Sequence, residues 1–595
     1  MFSKSKQVSS SDINMLLKQY ELKNFVEVES ISKVMIKKYP NFALSWKILG
    51  AVLRQTGRLD ESLNAFKQAV QVAPDDAEAF FGLANVFQNL GNFDDARKNY
   101  LNAISIKQNY PEAMNNLGIA LKELGELKES EMSHRDAINL KSDDPGPHNN
   151  LGVVLKLLKK YDEAIVSYKN AIRLNPKYID AHENLGNLYQ EIGRYQNAEN
   201  CYKKLLNIEP FNSAFHNNLG AIQALLNKYE EAINNFKKSI SFKNNNVDAH
   251  INLAKLFQKI GRLNDSEASY RNAIALMPTH SIAHNNLGVV LKYLGKFDEA
   301  ISCYQNAINI NQGSSEAHFN LGLEFYRRDN YKKASEHFKL SNNAKAASYN
   351  LRCLYYINKT LFIELYDQLI VAGERNAVLG HYGCLANIKF QANKKNLFCS
   401  DPLQYVFEKN LKREYDFSEV FSAPLKAMLE EQKIPIRRQD LLVNGMQTFG
   451  NLFELEDNSI KKIKRIILLE VEKYRSTYAK SNEGFIKYWP KDFDIYGWLI
   501  KMKSEGELHP HMHDTGWITG SIYINIPPKL NLNSGNIVVS IDDREFPLEG
   551  QDVQKKSIDV VTGSMCLFPA SLLHYTIPFS SDEDRIVLAF DVVPK

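Results

Sequence analysis

Apolar and small residues return at helical spacing in blocks of 34 residues, without a gap, from about residue 43 to residue 346. In the first half of each block a leucine (Leu49, Leu83, Leu117 and so on to Leu321) is followed by Gly or Ala. In the second half an aromatic ring keeps register, from Phe66 and Tyr100 to Phe338, with Gly or Asn turns between the halves. Two amphipathic stretches joined by a tight turn predict a helix hairpin per block. One hairpin cannot bury its apolar stripe alone, so nine of them in tandem predict a stacked solenoid. Residues 9–42 carry a weaker version of the pattern (Leu16, Leu17, Tyr20, Val34, Ile36, Pro40), as expected of a capping repeat. Residues 347–400 stay helical, notably Ser348–Ile370, and are expected to close the stack.

The pattern changes in residues 401–595. Helical spacing persists to about Lys480, best in Ile460–Tyr474. Short alternating or β-branched runs follow at Tyr496–Met502, Ile518–Ile526, Asn536–Ile541, Ser557–Val561, Ser564–Phe568 and Arg585–Val593. Gly, Pro, Asn and Asp separate them, which predicts a sandwich or barrel of short strands over about 490–595.

Composition narrows the function. A chain of 595 residues is too long for one core, and its net charge of +4 gives no support to a nucleic-acid partner. Six scattered cysteines without a CxxC pair favour a reducing compartment and argue against a zinc ribbon. The first residues lack the apolar core of a signal peptide, and no apolar run reaches the roughly 18 residues a membrane span needs. The expectation is a cytoplasmic protein with no membrane partner.

The 34-residue block, with Ala-His-x-Asn-Leu-Gly early and Tyr/Phe-x-x-Ala-Ile late, closely resembles the tetratricopeptide repeat. That resemblance implies an all-α, right-handed superhelix with a groove for protein or peptide. One column bears on the groove: Asn116, Asn150, Asn184, Asn218, Asn252, Asn286 and Asn320 each precede the core leucine. These asparagines lie about 100° off the packing stripe, and Asn is a mediocre helix former. A carboxamide both donates and accepts, as a peptide backbone does. Here the chain resembles the repeats of O-linked N-acetylglucosamine transferases, whose inner Asn ladder grips peptide main chain. The alternative is that the column braces adjacent repeats. Six histidines, His148 to His318, stand one per repeat where the repeat usually packs an aromatic, so packing is expected of them rather than a shared metal site.

Tight histidine clustering occurs only near the C-terminus, in GELHPHMHDTGW and, farther on, LLHYTIPF. His511 and His513 are two apart, so on a strand both point to one face, and His574 lies on a distant strand with Arg585 opening the next. A mononuclear non-haem iron site needs three ligands on one face of an octahedron, with positions left for oxygen and cosubstrate. Arg pairs bidentately with carboxylates. These residues, together with Thr519-Gly520, Tyr523, Gly563, Phe568-Pro569 and the upstream Gly445–Leu455, resemble the 2-oxoglutarate/Fe(II)-dependent oxygenases, in the bacterial and phage branch with an HxH signature. The resemblance covers about 440–595. It implies a double-stranded β-helix core of the jelly-roll kind, cofactors Fe(II), 2-oxoglutarate and O₂, and Arg585 as cosubstrate anchor, with Tyr523 and Trp517 lining the pocket. Most of that superfamily places a carboxylate where His513 stands. Either His513 completes a three-histidine site, or Asp514 reaches the metal through a bulge, or His511 and His574 bind alone. His509, before a proline, is expected to support the site rather than ligate.

The expected function is oxidative hydroxylation of a protein or peptide presented by the repeats. The alternatives are a repeat scaffold with an inactive oxygenase-like domain, and an oxygenase acting on a small metabolite or glycan. No GxSxG, P-loop, GxGxxG before a helix or HExxH is present.

Overall fold

The structure, a computed structural model, describes residues 8–343, 345–431, 434, 436–437, 441–529, 531–542 and 554–595. It divides into two compact units, Met1–Leu256 and Phe257–Lys595. In the first unit, helices Ser10–Glu21 and Phe25–Lys38 pack through Leu16, Val28 and Met35, while Leu17 and Val34 of the expected apolar set are exposed. Six hairpins follow, from Ala43–Gln55 with Leu59–Val72 to Ser213–Leu225 with Tyr229–Phe242.

The repeat columns have direct physical roles. A Cβ on Gly152 would lie 2.5 Å from the Tyr168 ring, so the two helices of that hairpin approach as closely as they do only over glycine. The turns between helices need a left-handed residue: Gly57, Gly91, Gly125 and Gly193 supply it, and Lys159 and Asn227 take φ of 60° and 58° at the same place. The histidine column packs as expected. His182 and His216 bond through Nε2 to the carbonyls of Pro176 and Pro210, six residues upstream, at 3.0 and 2.9 Å. Trp46 does the same in the first full repeat, donating to the Pro40 carbonyl at 2.9 Å.

The second unit opens with repeat helices, among them Ser281–Tyr293 with Phe297–Ile310 and Ser315–Arg327 with Tyr331–Lys339. Three helices, Ala346–Ile357, Lys359–Val371 and Ala377–Phe390, lead to ten strands among the described residues: β1 (Phe407–Asn410), β2 (Ile436–Arg437), β3 (Leu442–Thr448), β4 (Phe493–Leu508), β5 (Ile518–Asn525), β6 (Ile537–Ile541), β7 (Gln554–Ile558), β8 (Ser564–Pro569), β9 (Leu573–Thr576) and β10 (Arg585–Pro594). A seven-stranded sheet runs β1-β8-β5-β10-β4-β3-β2 and a three-stranded one β7-β6-β9, antiparallel throughout.

Strand parity sorts the two faces of the large sheet. Ile518, Ile522 and Ile524 of β5 and Ile586, Leu588, Phe590 and Val592 of β10 face a core closed by helix Asn458–Thr477 through Ile460, Ile463, Ile467 and Val471. The odd positions turn the other way, where Tyr523 and Val587 pack with Ile537, Val539 and Ile541 of the small sheet. Leu354, Val378 and Leu385 join this second core, so the helices after the last repeat bury their apolar faces on the β structure itself.

Candidate metal centre

His511, outside the named strands, forms an isolated antiparallel bridge with His574 of β9. The His511 N–H donates to the His574 carbonyl at 3.2 Å and the reverse bond is 2.8 Å. Directly opposed residues put their side chains on one face, so the backbone alone brings the two imidazoles together. His513, two residues on, returns to that face. The ring centroids stand 4.2 Å (His511–His574), 4.8 Å (His513–His574) and 5.1 Å (His511–His513) apart. One nitrogen of each ring lies within 4.8 Å of the others, a group able to hold a metal ion.

The tautomers follow from what each Nδ1 touches. His511 Nδ1 lies 2.9 Å from the His509 carbonyl and His513 Nδ1 2.6 Å from Asp591 Oδ1. Both partners only accept, so both Nδ1 atoms carry protons and the lone pairs are left on Nε2. Those two Nε2 atoms face each other at 3.1 Å. Two lone pairs repel at that distance unless a proton or a cation sits between them. Two metal–nitrogen bonds of about 2.1 Å at an octahedral right angle would hold their nitrogens about 3.0 Å apart. His574 is buried, and its Nδ1 has no hydrogen-bond partner among the described residues. The residues therefore fit a metal ion. Burial works against charge on His513, yet the Asp591 carboxylate outweighs it and the pKa stands above the usual histidine value. His574 is driven well below that value by burial and then by its two neighbours.

Asp514 points elsewhere. Its carboxylate accepts from the Tyr349 hydroxyl at 2.5 Å and from the Arg352 guanidinium, both on helix Ala346–Ile357. Burial opposes the Arg352 charge, but Asp514 outweighs it and holds the pKa raised. Both Asp514 oxygens are thus committed to a helix 162 residues upstream. Replacing Asp514 by Ala should leave metal affinity near the parent's while lowering stability by about 3 kcal/mol, because Arg352 is left charged and buried. His513→Ala should show the reverse. Metal titrations and melting curves on the two variants separate the assignments.

Arg585 is 1 % exposed, the largest of the fully buried side chains. Its Nη1 donates to the Gly535 carbonyl, its Cζ lies 5.3 Å from the Tyr523 ring centre, and its Nε has no acceptor among the described residues. No carboxylate pairs with it there, and burial pushes its pKa down. A guanidinium placed so costs several kcal/mol unless an anion comes to it, and an unsatisfied fork suits a carboxylate. Tyr523 lies beside it, its hydroxyl accepting from Ser521 Oγ at 3.2 Å. Trp517 does not line this site: its indole donates to the Phe485 carbonyl at 2.6 Å and packs on Phe398 in the core on the helix side. Trp498 does stand beside the histidines, 5.4 Å from the His513 ring. His509 contributes its backbone carbonyl while its own ring pairs with Glu507.

His511 and His513 open onto a cleft of about 1950 Å³ within the second unit. Trp498, Tyr496 and Asn444 lie along one wall, and Lys292, Arg327 and Tyr349 of the helical segments along the other. The asparagine column lies within the repeats and is half-buried. Asn116, Asn150, Asn184, Asn252 and Asn320 each donate from Nδ2 to an Asn side chain of the preceding repeat (Asn85, Asn115, Asn149, Asn217 and Asn285) at 2.9–3.1 Å. Asn218 reaches only the Tyr202 hydroxyl at 3.5 Å, and Asn286 accepts from Asn285 at 3.2 Å. One donor of most column members is therefore spent on bracing.

Asp591, also at the site, is not among the residues the sequence motifs single out. An acidic residue inside the apolar run RIVLAFDVV, on the same strand face as Arg585, was the available signal.

A family model described as "Putative 2OG-Fe(II) oxygenase" matches residues 497–591. Tetratricopeptide-repeat models match segments from residue 50 to residue 314, including 50–91, 112–141, 155–193, 224–261 and 281–314. No curated protein matches the chain. Among solved structures, a tetratricopeptide repeat protein from Parabacteroides merdae is 23 % identical, with 43 % of this chain and 97 % of that one covered and a TM-score of 0.34. PilF of Pseudomonas aeruginosa is 19 % identical over 36 % and 96 %, with a TM-score of 0.32. YrrB, titled a TPR protein with an unusual peptide-binding site, is 21 % identical over 31 % and 95 %, with a TM-score of 0.27.

Proposed function

We propose that this chain, a tetratricopeptide-repeat protein with a C-terminal domain matched as a 2OG-Fe(II) oxygenase, hydroxylates a polypeptide that its repeats bind. The observation that carries the reading is a convergent three-histidine group in the same domain as a buried arginine that no carboxylate among the described residues partners. His511, His513 and His574 would hold Fe(II), which when bound couples the oxidative decarboxylation of 2-oxoglutarate by O₂ to insertion of one oxygen atom into a C–H bond. Arg585 binds the far carboxylate of the cosubstrate and fixes its orientation, with Tyr523 beside it. Burial keeps water from competing for that guanidinium. The cleft leaves the open side of the histidines to the substrate, and helices of the last repeats form its other wall.

The six cysteines are free thiols, which fits a cytoplasmic setting. Among the described residues no helix is long and apolar enough to cross a membrane.

The test is incubation of the iron-loaded chain with 2-oxoglutarate, O₂ and a peptide library, read by mass spectrometry. Peptides heavier by one oxygen atom, formed only with all components present, support the reading. Cosubstrate turnover that no peptide stimulates or captures would refute the polypeptide assignment. Within the repeats, Asn218, Asn252 and Asn286 replaced together by Ala should lower affinity for such a peptide by tenfold or more, since each lost bond is worth about 0.5–1.5 kcal/mol. Stability should change little: the bracing bonds of two of these residues are weak, and alanine's higher helix propensity returns up to about 0.7 kcal/mol per site. A lowered melting midpoint with unchanged peptide affinity would show that the column only braces.

A further inference from the structure

The three histidines are not equivalent. His511 spends its Nδ1 proton on a neutral carbonyl, and the His574 Nδ1 has no partner among the described residues. His513 meets a carboxylate, Asp591 at 2.6 Å. That carboxylate is buried at 7 % exposure, and its Oδ1 also accepts from the Thr519 hydroxyl at 2.9 Å. Asp591 lies on β10 and pairs across the sheet with Thr519 of β5 and Tyr496 of β4, so three strands fix its position. Taking an aspartate out of water is costly, and its partners among the described residues are one hydroxyl and one imidazole. A cation on the far side of His513 would complete its environment.

We propose that Asp591 is a positioning residue that supplies, one ring removed, the negative charge a three-histidine ligand set lacks. The inference rests on His513 being a ligand, as in the reading above. Three neutral imidazoles leave a divalent ion with its full charge, whereas a carboxylate hydrogen-bonded to a ligating histidine fixes the tautomer and raises the ring's basicity. The geometry places this pairing at His513. Asp591 thus holds His513 with Nε2 toward the ion and offsets part of the ion's charge through the ring. Thr519 keeps Oδ1 from turning away.

The sign of the effect depends on what occupies position 513, and that makes the proposal testable. The full-length chain is stripped of metal and titrated anaerobically with Fe(II) and, separately, Co(II), by calorimetry. The parent, Asp591→Asn, His513→Asp and the double variant are compared, with a melting curve on each metal-free protein. Asp591→Asn keeps the size and a hydrogen-bond acceptor but removes the charge. It is expected to weaken both ions 10- to 100-fold, the usual cost of losing such a partner, with the metal-free melting point within a few degrees of the parent's. In the His513→Asp background a carboxylate ligand is already present and a second one beside it repels, so Asp591→Asn should there leave affinity unchanged or improve it. Parent-like affinity in Asp591→Asn would overturn the proposal while leaving the metal site standing. Equal weakening in both backgrounds would also overturn it, by showing that Asp591 only braces the sheet. A parent chain that binds neither ion would remove the metal reading itself, and the proposal with it.

Discussion

Replacing His574 by alanine should cost more than 100-fold in Fe(II) affinity and leave no saturable binding in an anaerobic titration. The 10- to 100-fold loss typical of removing a residue that only hydrogen-bonds to a metal ligand sets the floor for losing a ligand. What remains is His511 and His513, a two-nitrogen site whose atoms lie 3.1 Å apart. The fold should tolerate the change. His574 is held by two backbone bonds to His511 and lies opposite Val539 in the small sheet, an arrangement alanine preserves, and its Nδ1 makes no hydrogen bond among the described residues. The loss of metal is therefore expected with a melting point near the parent's. His574→Ala binding iron as the parent does would sink the three-histidine assignment.

The second large effect splits stability from function. Arg585→Met should abolish 2-oxoglutarate binding while leaving the cosubstrate-free chain as stable as the parent or more so. A buried guanidinium with one carbonyl acceptor and no carboxylate among the described residues is destabilising until an anion arrives. Replacing buried charge by apolar side chains of similar volume has been neutral or stabilising by about 1–4 kcal/mol in comparable sites. Methionine fills much of the space beside Tyr523 and Val587. The measurement is a pair of melting curves, with and without 2-oxoglutarate. The parent should gain stability on adding it, by mass action, and the variant should gain none. A variant that melts far below the parent would mean that Arg585 braces the sheets, and one that still responds to the cosubstrate would place the anchor elsewhere.

The repeats were legible because a 34-residue period is itself a statement about local pairing: each helix finds its partner within one turn, and Gly152 under Tyr168 needs no distant information. The strands were legible where the alternation was strong, as in β5 and β10. Two failed. β7 (Gln554–Ile558) reads QKKSI, with only its last residue buried, so the expected run began three residues late, at Ser557. β9 is four residues long, which is too short for a period, although it does carry His574 as expected.

The site divided in the same way. His511 and His513 declare themselves by a spacing of two, a local fact. Asp514 kept its alternatives because its partners, Tyr349 and Arg352, come from a helix whose docking on the β domain no local pattern encodes. Trp517, expected at the pocket, stands four residues past His513, yet the chain has by then crossed to the helix-packed side.

The central claim is that the C-terminal domain turns over 2-oxoglutarate at a metal held by His511, His513 and His574. Succinate formed from 2-oxoglutarate by the Fe(II)-loaded chain in air, measured beside His574→Ala and an anaerobic control, tests it most directly. The account predicts succinate and carbon dioxide in equal amounts from the parent, and none above background from the variant or without oxygen. Succinate from the variant at the parent's rate, or none from an iron-loaded parent that binds 2-oxoglutarate, would contradict it.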